Sequence, residues 1–144
     1  MRRAILGGAL MICLSTASAH EYDVKTLTIG HPWAPITHGN LATGVVYVTF
    51  VNDGEKADRL LKVSSPWAAN ATLHSTIKDG TVMGMRDIDS VSIPPGQTVE
   101  FKPGALHIML IGLTRPLKDG DMLPLTLTLA NEGEIKIEAM VVDQ

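Results

Sequence analysis

Short runs of alternating or β-branched apolar residues recur about every 8 to 12 positions along this chain, broken by Gly, Pro, Asn and Asp, while helical periodicity is nearly absent. That punctuation predicts an all-β fold, a sandwich or barrel of antiparallel strands. Leu123, Leu125, Leu127 and Leu129 alternate with Pro124, Thr126, Thr128 and Ala130, the period-two pattern of a strand with one buried face. Pro124 belongs near that strand's start or on an edge, because it has no N–H to donate. Ile135, Ile137 and Ala139 repeat the pattern with Lys136 and Glu138 outward, and Asn131-Glu132-Gly133 is short enough to join the two runs as a hairpin. Val45 to Val51 is almost continuously apolar and reads as a central strand buried on both sides. Residues 20 to 30 read as a first strand. Breaks fall at Asn52-Asp53-Gly54, Ser65-Pro66, Asp79-Gly80, Pro94-Pro95-Gly96, Pro103-Gly104 and Lys118-Asp119-Gly120.

Arg2 and Arg3, the apolar stretch from Ala4 to Leu14, and Ala17-Ser18-Ala19 have the three-part form of a secretory signal peptide. Cleavage after Ala19 is expected, leaving residues 20–144 as one exported domain. The apolar stretch is too short to span a bilayer, so no membrane insertion is expected. Cys13 is the only cysteine and lies inside that stretch, preceded by Met11-Ile12 rather than small residues, so lipid anchoring is not expected. The mature chain then has no thiol. This excludes a disulfide framework, a thiolate zinc site, a cysteine nucleophile and a blue-copper centre, which needs a Cys beside its two His. Removal of Arg2 and Arg3 leaves ten basic against fifteen acidic side chains. With no basic stripe and no aromatic platform, nucleic acid is not an expected partner.

Chemistry concentrates in four residues, His74, Met85, His107 and Met109, spaced H-x10-M-x21-H-x-M. Two imidazoles and two thioethers form a soft, uncharged donor set that suits Cu(I) better than Cu(II), zinc, calcium or magnesium. In a strand, residues two apart share a face, so His107 and Met109 point one way and Ile108 and Leu110 the other. By the same parity Thr72, His74 and Thr76 oppose Ala71 and Leu73. Met85 follows the Asp79-Gly80 turn, and Met83, two residues earlier, is an auxiliary candidate. Met122 and Met140 read as core filler. His20, made N-terminal by cleavage, offers an amine and an imidazole to Cu(II), although a terminus without metal is the favoured reading. His31-Pro32-Trp33 reads as a loop-shaping segment. No Ser-His-Asp or paired-carboxylate constellation suggests an enzyme.

The chain resembles the PCuAC family of periplasmic copper chaperones, whose defining motif is this His, Met, His-x-Met spacing. The resemblance extends over nearly all of the mature chain: His31-Pro32-Trp33, Tyr47 to Asn52, Asp58-Arg59-Leu60, Pro103 to Leu113, Gly120-Asp121 and the Leu-Thr-Leu-Thr-Leu strand. It implies a cupredoxin-like, Greek-key antiparallel β-sandwich. It also implies one Cu(I) held near the surface by His74, Met85, His107 and Met109. Pro35 replaces an Arg often found in the family and Ala105 a Gly, and neither change removes a donor atom.

A periplasmic, monomeric, non-enzymatic Cu(I) carrier is therefore expected. By the family resemblance, its acceptor is the dinuclear copper site of cytochrome c oxidase subunit II, reached directly or through a Sco-type assembly protein. The alternative is copper buffering or tolerance with no dedicated acceptor.

Overall fold

A computed structural model describes residues 21–144; the signal-peptide segment 1–19, with Cys13, and His20 lie outside the described residues. Eleven strands follow one another: β1 Glu21–Val24, β2 Leu27–Pro35, β3 Thr43–Asn52, β4 Asp58–Ser64, β5 Ala68–Asp79, β6 Val82–Ile88, β7 Val91–Ile93, β8 Thr98–Glu100, β9 Leu106–Leu113, β10 Met122–Leu129 and β11 Gly133–Val142. No helix occurs among the described residues. Every Gly- and Pro-rich break read from the sequence falls between two of these strands.

The strands form two layers that share β3. Its first half pairs with β9, which leads through β5 to β6, and its second half pairs with β2 and β8. From β2 the second layer runs through β11, β10 and β4 to β7. Leu73, Val46, Ile108 and Leu110 from the first layer meet Leu60, Ile93, Ile137 and the four leucines of β10 in one buried cluster, which makes the fold a β-sandwich. One pairing is parallel, β11 with β2, which joins the last strand to an early one inside an otherwise antiparallel assembly.

The β10–β11 hairpin has the expected register, with Leu125 opposite Ile137 and Leu127 opposite Ile135. Pro124 is the third residue of β10, beyond the reach of the β4 pairing that begins at Thr126, so its missing N–H breaks no bond on that side. Buried Asp58 secures the hairpin loop by accepting N–H bonds from Asn131 (2.9 Å) and Glu132 (3.3 Å).

Four expectations need correction. Residues 21–35 are two strands, because Lys25 takes a positive φ of 55° and turns β1 back on β2; no glycine marks that turn. The β3 run is not buried on both sides: Val46, Val48, Phe50 and Asn52 are buried and the residues between them are only half-buried. His31-Pro32-Trp33 lies inside β2, at a register shift where His31 has φ 50°, so the segment is a bulge in a strand rather than a loop. Met140 is exposed on β11, opposite a half-buried Met122, and is not core filler.

At the far end of β9, Gly112 has φ 69°, and a Cβ there would stand 2.8 Å from the Cβ of Ala69. The absent side chain lets β9 lie close against the start of β5. These two strands carry His107 and His74.

Candidate metal centre

Strand parity and register together collect the chemistry on the outer face of the layer β6-β5-β9-β3. His74 is directly opposite His107 across the β5–β9 pair, Thr72 is opposite Met109, and Asp87 on β6 is opposite His74. Ile108 and Leu110 point the other way and are fully buried in the core, as the alternation along β9 requires. His107 is only 6 % exposed although its neighbours on this face are partly open. The two imidazoles stand 5.4 Å apart, centroid to centroid, with 31° between their planes.

The hydrogen bonds decide which nitrogen of each ring is free. His107 Nδ1 lies 3.1 Å from the Ala105 carbonyl oxygen, which can only accept, so Nδ1 carries the hydrogen and Nε2 is left with its lone pair. His74 Nε2 lies 3.2 Å from Asp87 Oδ1 and 2.7 Å from Thr72 Oγ1; a carboxylate only accepts, so here Nε2 carries the hydrogen and Nδ1 has the lone pair. Both remaining nitrogens, His74 Nδ1 and His107 Nε2, are buried without any hydrogen-bond partner. A buried polar atom with no partner costs about 1–3 kcal/mol, and two on facing rings are a fixed expense that a bound cation would remove.

The two thioethers lie on opposite sides of this histidine pair. Met109 is half-buried on β9, one rung along the strand from His107, with Val45 and Thr72 as its cross-strand neighbours. Met85 is opposite Thr76 on β6, one rung away in the other direction, and is 66 % exposed. The structure thus brings His74 and His107 into contact and places Met109 and Met85 as flanking arms on the same face. Met83 also lies on this face, one rung beyond Met85 and opposite Lys78. Among the described residues no three His, Cys, Asp or Glu side chains gather as a metal-holding cluster. Beside the two imidazoles and the Asp87 carboxylate, this face carries the methionine sulfurs of Met109, Met85 and Met83.

Two features were not read from the sequence. Asp87 was overlooked because a lone carboxylate after a methionine is ordinary surface; its parity with Met85 was the available signal, and only the β5–β6 register shows that it meets His74. The second feature is an aromatic pair, Trp33 and Tyr47, with rings 4.8 Å apart. Tyr47 lies two residues from Val45, the partner of Met109, so the pair borders the site on the β3 side. Burial pushes the Tyr47 hydroxyl above its ordinary range, which keeps it a neutral donor there.

Comparison with known proteins agrees with this architecture. A profile of the family described as "Putative lipoprotein LpqE-like" matches residues 27–141. Among solved structures, the copper-bound PCuAC domain from PmoF2 is 26% identical and superposes with a TM-score of 0.75, covering 87% of this chain and 99% of that one. The apo PCuAC domain from PmoF1 is 27% identical with the same TM-score, covering 87% and 100%. A curated relative, an uncharacterised protein of Rickettsia prowazekii, is 33% identical over 99 residues, 66% of this chain and 55% of its own. The chain therefore spans little more than half the length of that curated relative. Since the profile covers most of the sequence and the sandwich superposes end to end on these domains, the chain belongs to the LpqE-like family and is a PCuAC domain.

Proposed function

We propose that this protein is an exported Cu(I) carrier that holds one cuprous ion through His74 Nδ1, His107 Nε2 and the sulfurs of Met85 and Met109. The observation that carries the reading is the pair of buried, unpartnered imidazole nitrogens on two adjacent rings, with methionines on either side of them on the same face. The donor set adds no charge and is soft, so it favours Cu(I) over Cu(II) and over divalent zinc. Export is supported by the signal-like residues 1–19 and by the lipoprotein description of the family. A copper-bound relative of the same fold supports copper as the cargo.

The cargo is released by ligand exchange. Thioethers bind without an anionic bond, so the set can surrender its ligands one at a time to an acceptor's donors while the remaining ones still hold the ion. No bond of a substrate is made or broken by the protein, and it acts as a carrier rather than an enzyme. The acceptor in this reading is the dinuclear copper site of cytochrome c oxidase subunit II, reached directly or through a Sco-type protein. A deletion strain tests it: lost oxidase activity restored by added copper is the expected result. Copper sensitivity with normal oxidase activity would assign the protein to copper buffering instead.

Asp87 orients the site from outside. By accepting from His74 Nε2–H it fixes the tautomer that leaves Nδ1 bare and holds the ring's orientation. Replacing Asp87 with Ala is expected to weaken Cu(I) affinity by about tenfold, measured by competition with a colorimetric Cu(I) chelator. Unchanged affinity would remove Asp87 from the site, since an exposed side chain at this position has no other evident task.

A further inference from the structure

We infer that Met83 is a transit ligand, and that copper enters and leaves the site across the edge strand β6 by way of Met85 and then Met83. The inference rests on the proposed copper site and adds the direction of traffic through it.

The two sides of the histidine pair are not equivalent. On the β3 side the ion would face half-buried Met109, the cross-strand Val45, and the tilted aromatic pair Trp33 and Tyr47, within a layer that continues into further strands. On the other side the layer ends. β6 pairs only with β5, so its outer edge is free of any strand among the described residues. Met83 and Met85 are 61 % and 66 % exposed on that strand. Residues two apart in a strand share a face and are separated by about 7 Å. Two flexible thioether arms on neighbouring rungs can therefore both reach an ion lying between them.

The exposure itself argues for a use. Large apolar side chains are costly on an edge strand, where charged residues and Pro usually discourage unwanted pairing. Met83 and Met85 instead present two soft donors in line from the histidine pair to the hairpin tip at Gly80-Thr81. Met83 is not among the residues packed against the core, so core packing does not explain it.

The step is a simple exchange. The Cu–S bond to Met83 forms as the Cu–S bond to Met109, the most distant donor, breaks; the ion stays Cu(I) and no proton moves. His107 is released next, leaving the ion on His74, Met85 and Met83 at the open edge, where an acceptor's donors displace His74 and then the two thioethers to complete the transfer. Loading follows the same path in reverse.

Met83→Leu tests this, because leucine keeps an apolar side chain of similar volume and removes only the donor. Equilibrium Cu(I) affinity is expected to stay within about twofold of wild type, while unloading to a bidentate Cu(I) chelator in stopped flow slows by about fivefold, which is on the order of 1 kcal/mol in the barrier. The inference is overturned if Met83→Leu unloads at the wild-type rate, or if its equilibrium affinity falls as far as that of Met109→Leu, which would make Met83 a resident ligand. Failure of the wild-type protein to bind Cu(I) at all would instead overturn the copper site. Circular dichroism of the variant, expected to match wild type for so exposed a position, separates either result from misfolding.

Discussion

His107→Ala is expected to abolish functional Cu(I) binding, lowering affinity by at least about a hundredfold to a thousandfold, since even outer residues that merely orient a ligand cost ten- to a hundredfold. His107 is the most buried of the four proposed donors and lies directly opposite His74 across a single rung. Removing it leaves His74 as the only imidazole on the face and leaves Met85 and Met109 on opposite sides of a gap. In the metal-free protein it removes one buried atom that has no partner, a gain, and one bond to the Ala105 carbonyl oxygen, a loss, so these polar contributions offset to within about 1 kcal/mol and the remaining cost is the lost packing of the buried ring. Chelator competition and denaturant titration of the apoprotein measure the two numbers separately. A variant that still binds Cu(I) as wild type does would remove His107 from the ligand set.

Much of this arrangement follows from parity along single strands, and parity is legible in a sequence. The alternation His107-Ile108-Met109-Leu110 predicts two outward donors and two core residues, and β9 has that division. The leucines of β10 and the aliphatics of β11 likewise specify a hairpin and its inner face. The positions of the strands relative to one another are a different matter. That β5 and β9 pair with His74 opposite His107 depends on long-range register, which the close approach at Gly112 and the core packing of Leu73 against its neighbours decide together. Nothing local to either histidine encodes it. The same limit hid Asp87, whose partner is on another strand, and the Trp33–Tyr47 pair.

The turn at Lys25 and the bulge at His31 escaped sequence reasoning for another reason. Both need a positive φ at a residue other than glycine, a conformation that costs free energy and is held by surrounding pairing rather than by the residue's own preference. In β2 the flanking registers are already fixed, by β3 on one side of the shift and by β3 and β11 on the other, and the one extra residue has to be absorbed between them.

Ile108→Ala should give the opposite result to the histidine change and so separates fold from cargo. Ile108 has no exposed surface and lies between the two donors of β9, on the strand's inner side. Truncating a buried Ile to Ala costs about 2–5 kcal/mol through lost burial and the cavity left behind. For a domain of this size that is a large share of a total stability of about 5–15 kcal/mol. The donors on the outer face keep their strand, their register and their opposite partners. Cu(I) affinity, measured where the variant is folded, should therefore remain within a few-fold of wild type. Saturating copper at about a thousand times its Kd should add about 4 kcal/mol to the variant and the wild-type protein alike. The gap between apo and loaded stability is the discriminating quantity: Ile108→Ala should lower both states equally and preserve the gap, and His107→Ala should close it. If Ile108→Ala closed the gap as well, the histidine pair would owe its geometry to the packing beneath it rather than to the β5–β9 pairing, and the two faces of β9 would have to be treated as one unit.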